Sequence, residues 1–330
     1  MLYTCYDLTF NERSKELLEA GFTEDEVAKL KQALLDLTND LVINSAESID
    51  TDMKTVFSMD SSRKNLTAKS LSKGPNPKEL INYSKLLLDE CRKKGTVQFS
   101  RLARLGFIGK IMLKSLVKRG VVTQNFYDLV YKSISTVATK INEDFNKLMA
   151  GEFSKEEFIR EYYHLRPGTY DITNHRYDTN PNLLSALRLT WREEVKKELY
   201  LEEETAQRVT AALQAEGLQC NAQQFLSLVE AATQARELSK FEFTKNLSDA
   251  LELLAKAGEE MGFTRKEIAM LDINDIFRIN ASSATTPQMT WEWKELIKKQ
   301  ELERNIHDKL VLPSVIFSEN DFDVVAHYQA

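Results

Sequence analysis

The stretch 221–257, NAQQFLSLVEAATQARELSKFEFTKNLSDALELLAKA, runs for 37 residues without a glycine or a proline. With successive residues about 100° apart around an axis, Phe225, Val229, Ala232, Phe243, Leu247 and Leu254 fall within about 40° of Arg236. That pattern predicts one long helix with an apolar stripe facing a core. Two cations, Arg236 and Lys240, sit inside the stripe one turn apart. A buried unpaired cation is costly, so each needs an anionic partner or a cavity to face.

Working outward, the rest of the chain reads the same way. Only 11 glycines and 6 prolines punctuate 330 residues, so turns are few and segments long. Thr23-Glu24-Asp25-Glu26 is a capping box that opens a helix reaching about Val42. Pro77 opens another that ends at Gly95. An amphipathic helix follows over 97–119, and Thr123 caps one that reaches Gly151. Ser154-Lys155-Glu156-Glu157 is a second capping box, whose helix ends before Pro167-Gly168. Helices resume at 183–200 and 202–216, at Thr264-Arg265-Lys266-Glu267, and over about 290–309. Residues 45–75 read as a loop-rich connection with one short helix, and 168–182 as non-helical. Leu310–Phe317 and Phe322–Val325 are strand-like.

The expected class is therefore all-α, a multi-helix, bundle-like domain with short β-like segments at the C-terminus. The helical domain spans 1–309, whole or split into subdomains 1–75 and 76–309. Residues 310–330 form a strand-like linker. Isolated strands are unstable, so either the two segments pair with each other or the natural chain continues into a β-containing domain.

Composition excludes several function classes. The net charge of -6, with acids and bases interspersed, speaks against a nucleic-acid partner. No apolar run is long enough for a bilayer span, and the N-terminus lacks signal-peptide features, so no membrane partner is expected. Cys5, Cys91 and Cys220 are far apart and read as free thiols of a reducing, cytoplasmic setting. No phosphate-binding glycine loop, dinucleotide fingerprint, zinc-protease helix or nucleophile elbow is present, so no catalytic residue and no metal site are expected.

Three sets of polar residues remain. The first is Arg236 and Lys240, with Glu237 between them. The second lies on the 97–119 helix, where Arg101 shares a stripe with Leu105, Ile108 and Met112, and Arg104 flanks it; snorkelling of Arg101 to the surface is the bland reading. The third is the loop HLRPGTYDIT, 164–173. Its helix end and Pro-Gly turn crowd His164, Arg166, Tyr170 and Asp171 together, and rigidly held loops often carry function. Arg166 can clamp a carboxylate or phosphate, or instead close a structural turn against Asp171.

The runs FSRLARLGFI (99–108), YHLRPGTYDI (163–172) and RELSKF (236–241) resemble the middle region of phosphoenolpyruvate-utilising dikinases. That superfamily includes pyruvate phosphate dikinase, phosphoenolpyruvate synthase and rifampicin phosphotransferase, and the likeness is nearest to its L-glutamine kinase branch. It covers most of residues 80–280. It implies a three-part enzyme: an ATP-grasp domain, a helical acceptor-binding middle and a mobile phosphohistidine domain. Neither flanking domain is present, so this segment binds no cofactor itself, and ATP with Mg2+ belongs to the full-length enzyme. The implied partner is a small amino-acid or carboxylate acceptor, in the glutamine-kinase branch the side-chain amide, with AMP and phosphate as co-products. The implied pocket draws on Arg101, Arg104, His164, Arg166, Tyr170, Asp171, Arg236, Glu237 and Lys240. The rival reading is a helical protein-interaction module without a small-molecule site, its stripe cations spent on internal salt bridges or on contacts to a partner protein.

Overall fold

The computed structural model describes residues 4–71, 74, 76–183, 198–307, 310–311, 314–322 and 326–327. The architecture is all-α. Its helices are α1 (Phe10–Arg13), α2 (Lys15–Glu19), α3 (Glu24–Ile43), α4 (Ser45–Phe57), α5 (Met59–Leu71), α6 (Pro77–Glu90), α7 (Val97–Lys118), α8 (Gln124–Ser133), α9 (Val137–Ala150) and α10 (Lys155–Tyr162). They continue as α11 (Glu203–Ala215), α12 (Ala222–Glu260), α13 (Arg265–Ile268), α14 (Ile273–Ala281) and α15 (Thr286–His307). Among the described residues, no helix is long and apolar enough to cross a membrane.

The helix ends follow from local chemistry. Thr23, Ser154 and Thr264 each accept from the backbone of the glutamate three residues on, and that glutamate returns the bond. Such reciprocal caps satisfy two orphan donors at once. Three expectations need correction. Residues 45–75 are not a loop-rich connection but the helices α4 and α5: most of their polar residues face solvent, Asp52 and Arg63 excepted, while Met53, Val56 and Met59 are buried. The helix from Pro77 does not stop at Gly95; its backbone passes through a six-residue π-helical turn, Cys91–Thr96, into α7. The helix from Thr123 does not run unbroken to Gly151, because Thr136 caps a new one. Most of the helix expected over 183–200 lies outside the described residues. So do Leu312, Pro313 and Asp323–Val325 of the strand-like tail; Leu310 and Val311 pair antiparallel with His327 and Ala326.

The chain divides into two compact units built from interleaved segments rather than at residue 75. The first takes residues 1–62, 90–163 and 177–246. Its core joins Tyr6, Phe10, Ile108, Met112, Leu116, Phe225 and Val229. Buried Thr38 ties the N-terminal segment to α3: its Oγ1 accepts from Tyr6 N at 2.8 Å and donates to the Leu34 carbonyl at 2.7 Å. The second unit takes residues 63–89, 164–176 and 247–330. Its core holds Leu80, Ile81, Leu254, Phe263, Ile276 and Met289 around the fully buried Trp293, whose ring centroid lies 5.5 Å from that of Phe263. The long helix α12 gives its residues up to Asn246 to the first unit and the rest to the second.

Candidate functional site

The nine candidate residues fall in both units. Arg101, Arg104, Arg236, Glu237 and Lys240 belong to the first, and His164, Arg166, Tyr170 and Asp171 to the second.

In the first unit the stripe cations are not buried. Lys240 is exposed, and so are Arg101 and Arg104. The burial on α7 runs through Leu102, Leu105, Ile108 and Met112, leaving Arg101 at the margin. From there its Nη1 reaches 3.2 Å to Oδ1 of the buried Asp52 on α4. Arg101 thus reaches the surface, as in the bland reading, with its tip anchored on Asp52. Arg236 is half-buried, with its guanidinium carbon 5.2 Å from the centroid of the Phe107 ring and Nη1 3.9 Å from Oε1 of Glu237. A cation stacked on an aromatic face keeps its charge near solvent while its stem is packed. Gly106 lies against that stem, where a Cβ would meet Arg236 Cδ at 3.6 Å, an ordinary packing contact.

In the second unit the loop of residues 164–176 is fastened to the C-terminal part of α12. Arg166 does this. Its side chain is 1% exposed. Nη2 donates to Ser248 Oγ at 2.9 Å, to the Ser248 carbonyl at 3.2 Å and to Glu252 Oε1 at 3.0 Å. Nη1 faces the carbonyls of Asp171 and Asn174 at 3.4 and 3.3 Å. The expected turn between Arg166 and Asp171 therefore exists, but it uses the backbone of Asp171 rather than its carboxylate. Ser248 Oγ in turn donates to the His164 carbonyl at 2.7 Å. His164 is buried with the loop base.

Two acids on α12 receive four arginines. Glu252 accepts from Arg166 and, in a fork at 3.1 and 2.5 Å, from Arg265. Asp249 accepts from Arg176 at 2.6 Å and Arg63 at 3.4 Å. Burial alone would raise the Glu252 carboxyl, yet the guanidinium groups of Arg265, Arg176 and Arg166 together hold it below the usual range. Burial lowers the Arg166 pKa, only partly offset by Glu252. Arg265 also donates to the Ile172 carbonyl at 3.1 Å, so the loop is gripped from both sides. Neither Glu252 nor Arg265 was visible in the sequence as a partner of Arg166; no periodicity or motif links the three.

Held this way, the loop presents its tip. Tyr170 is 67% exposed. The Asp171 carboxylate accepts from Thr173 Oγ1 and N, which lowers its pKa, and also from Asn174 Nδ2. Gly168, at φ +65°, supplies the left-handed turn that lets the chain fold back before it. Tyr170, Asp171 and Thr173 form one wall of a cleft of about 480 Å3. Leu251, Leu254, Ile268 and Ile276 give it an apolar floor, and Arg304 of α15 stands on its rim. Arg304 Nη2 donates to the Ala269 carbonyl at 3.0 Å, which orients the guanidinium. In sequence Arg304 reads only as a last-turn cation of its helix, so nothing marked it.

The cleft offers one fixed carboxylate, one guanidinium and a phenol above an apolar floor. That set suits a small zwitterion or carboxylate. Among the described residues, no group of three or more His, Cys, Asp or Glu side chains is placed to hold a metal ion. The chain matches no family model, no curated protein and no solved structure.

Proposed function

We propose that this chain is the acceptor-binding segment of an ATP-dependent, phosphohistidine-mediated phosphotransferase, and that it takes a small amino acid such as L-glutamine. The supporting observation is the loop of residues 164–173. Its buried Arg166 anchors it to α12, and its tip sets Tyr170 and Asp171 at a cleft shared with Arg304. Arg304 would take the acceptor carboxylate, Asp171 its ammonium, and Tyr170 would orient the side chain. ATP and Mg2+ would be bound by other domains of the enzyme, as the resemblance implies, and the segment alone would bind without transferring.

This reading moves the carboxylate clamp from Arg166 to Arg304, because both terminal nitrogens of the buried Arg166 are already engaged. Isothermal titration of the chain with L-glutamine, against L-glutamate and pyruvate, tests it. Selective heat with glutamine that disappears in Arg304→Ala supports the assignment. Silence with all three ligands sinks it.

A second reading is a helical interaction module without a small-molecule site. It is favoured by the internal pairing of Arg166 and Arg265 on Glu252, which leaves those cations no part in ligand binding.

A further inference from the structure

Between Glu90 and Asp128 the chain has 37 residues with nine lysines and arginines and no acid. The whole-chain charge of -6 averages this run away. In the fold the run covers the π-helical turn and α7, a helix of 22 residues, about 33 Å long. The inward residues of α7 are apolar, so its charges collect on the outside. At about 100° per residue, Arg104, Phe107, Lys110, Lys114 and Lys118 share an arc of about 120°. Arg104 and the three lysines are exposed, and Phe107 is 51% exposed.

These four cations have no hydrogen bond or ion pair among the described residues, whereas their neighbours are engaged. Arg101 pairs with Asp52, Lys94 with Glu90 and Arg119 with Glu216. Beside the lysine file, a cleft of about 260 Å3 lies between α7 and the N-terminal segment. Lys114, Lys118, Ser115 and Arg13 line it, with one acid, Asp7, already bound to Arg13 and Thr9. Lys110, Lys114 and Lys118 are spaced by one turn, about 6 Å, close to the spacing of phosphates along an unstacked strand. Phe107, backed by Arg236, offers a ring to solvent.

We propose that this face of α7 is a docking surface for single-stranded nucleic acid, with the lysine file and the Arg13 cleft on the phosphates and Phe107 as a base platform. A cationic track with an interleaved aromatic is the general form of such sites. Lysine is depleted in protein–protein interfaces, which makes a protein partner the poorer match. A membrane face would need several apolar side chains at the surface, and this arc exposes one large apolar side chain, Phe107.

The test is fluorescence anisotropy of the full chain with a labelled oligothymidylate of about 20 nucleotides, at several salt concentrations. Binding is expected to weaken as salt rises. The triple variant Lys110→Gln, Lys114→Gln, Lys118→Gln should weaken it roughly tenfold or more near 50 mM salt and flatten the log–log salt slope by about 2. Phe107→Ala should weaken binding several-fold with the slope unchanged. All four side chains are exposed, and helix content by circular dichroism should match the parent. No binding near 50 mM salt overturns the proposal, as does full affinity in the triple variant. Retention by phosphatidylserine vesicles without oligonucleotide binding assigns the face to membranes and overturns it too.

Discussion

Nη2 of Arg166 lies 3.0 Å from Oε1 of Glu252, and the fork of Arg265 closes on the same carboxylate from the second unit's α13. The loop is thereby fixed to a helix residue 86 positions further along the chain. Removing Arg166 frees both the loop and a buried acceptor set. Arg166→Ala should destabilise by about 3–5 kcal/mol. Arg166→Lys should recover less than half, since an ammonium cannot serve Ser248, Glu252 and the loop carbonyls together. Urea denaturation of the three proteins checks this. A loss under about 1 kcal/mol for Arg166→Ala would mean that the loop is held by packing instead.

The same carboxylate makes stability pH-dependent. Glu252 has a folded-state pKa below the ordinary glutamate value of 4.5. A depressed acid contributes stability that is present above the unfolded value and is lost as pH falls through the folded one. Thermal midpoints should therefore drop below about pH 4.5, and Glu252→Gln should be less stable at pH 7 but show a shallower acid limb. Parallel acid limbs for parent and variant would remove Glu252 from the account.

Binding and folding should separate at the loop tip. Tyr170 is two-thirds exposed and makes no hydrogen bond among the described residues. Tyr170→Phe should leave the thermal midpoint within about 1 °C of the parent, a surface substitution's effect, while weakening the acceptor by about 3–10-fold through a lost hydrogen bond. A large shift in midpoint with unchanged affinity would assign Tyr170 to structure.

The fold was legible because its signals are local. The capping boxes at Thr23, Ser154 and Thr264, and the stripe through Phe225, Val229 and Phe243, each speak within a few turns of chain. The errors arose where tertiary packing overrides composition. Residues 45–75 look like a loop because their apolar positions are sparse, but Met53, Val56 and Met59 suffice to bury one side. The site was half legible. Tyr170 and Asp171 lie together in sequence and line one cleft, whereas Arg304 and Glu252 reach the loop only through the fold. Arg236 and Lys240 were assigned to the interior because helical projection gives an angle and not a depth; the stripe is wide enough for its margins to be wet.

Gly95 shows how closely the first unit is packed. A Cβ there would lie 2.7 Å from Cβ of the buried Phe243, a backbone-proximal atom that no rotamer change can move. Gly95→Ala should cost about 1–3 kcal/mol despite the better helix propensity of alanine. The double variant with Phe243→Gly should show less than additive loss, because the clash is gone. Additive losses would place the glycine's role in backbone conformation rather than in contact.

Asp52 is the opposite case, a charge the fold tolerates at a cost. Its side chain is 3% exposed; Oδ1 has Arg101 at 3.2 Å, and Oδ2 has no hydrogen-bond partner. Burial raises its pKa, and Arg101 only partly opposes that. A raised acid binds its proton more tightly folded than unfolded, so ionisation at neutral pH destabilises, and the penalty fades as pH falls below the folded value. Asp52→Asn removes the charge and keeps the shape. It should gain on the order of 1 kcal/mol at pH 7, and the gain should vanish near pH 3, below the ordinary aspartate value of 3.8, where Asp52 is protonated in both states. Chemical denaturation at the two pH values decides the sign. If the variant is weaker at pH 7, the exposed Arg101 contributes more through its ion pair than desolvation takes away, and Asp52 is an anchor for the α4–α7 contact instead of a strained acid.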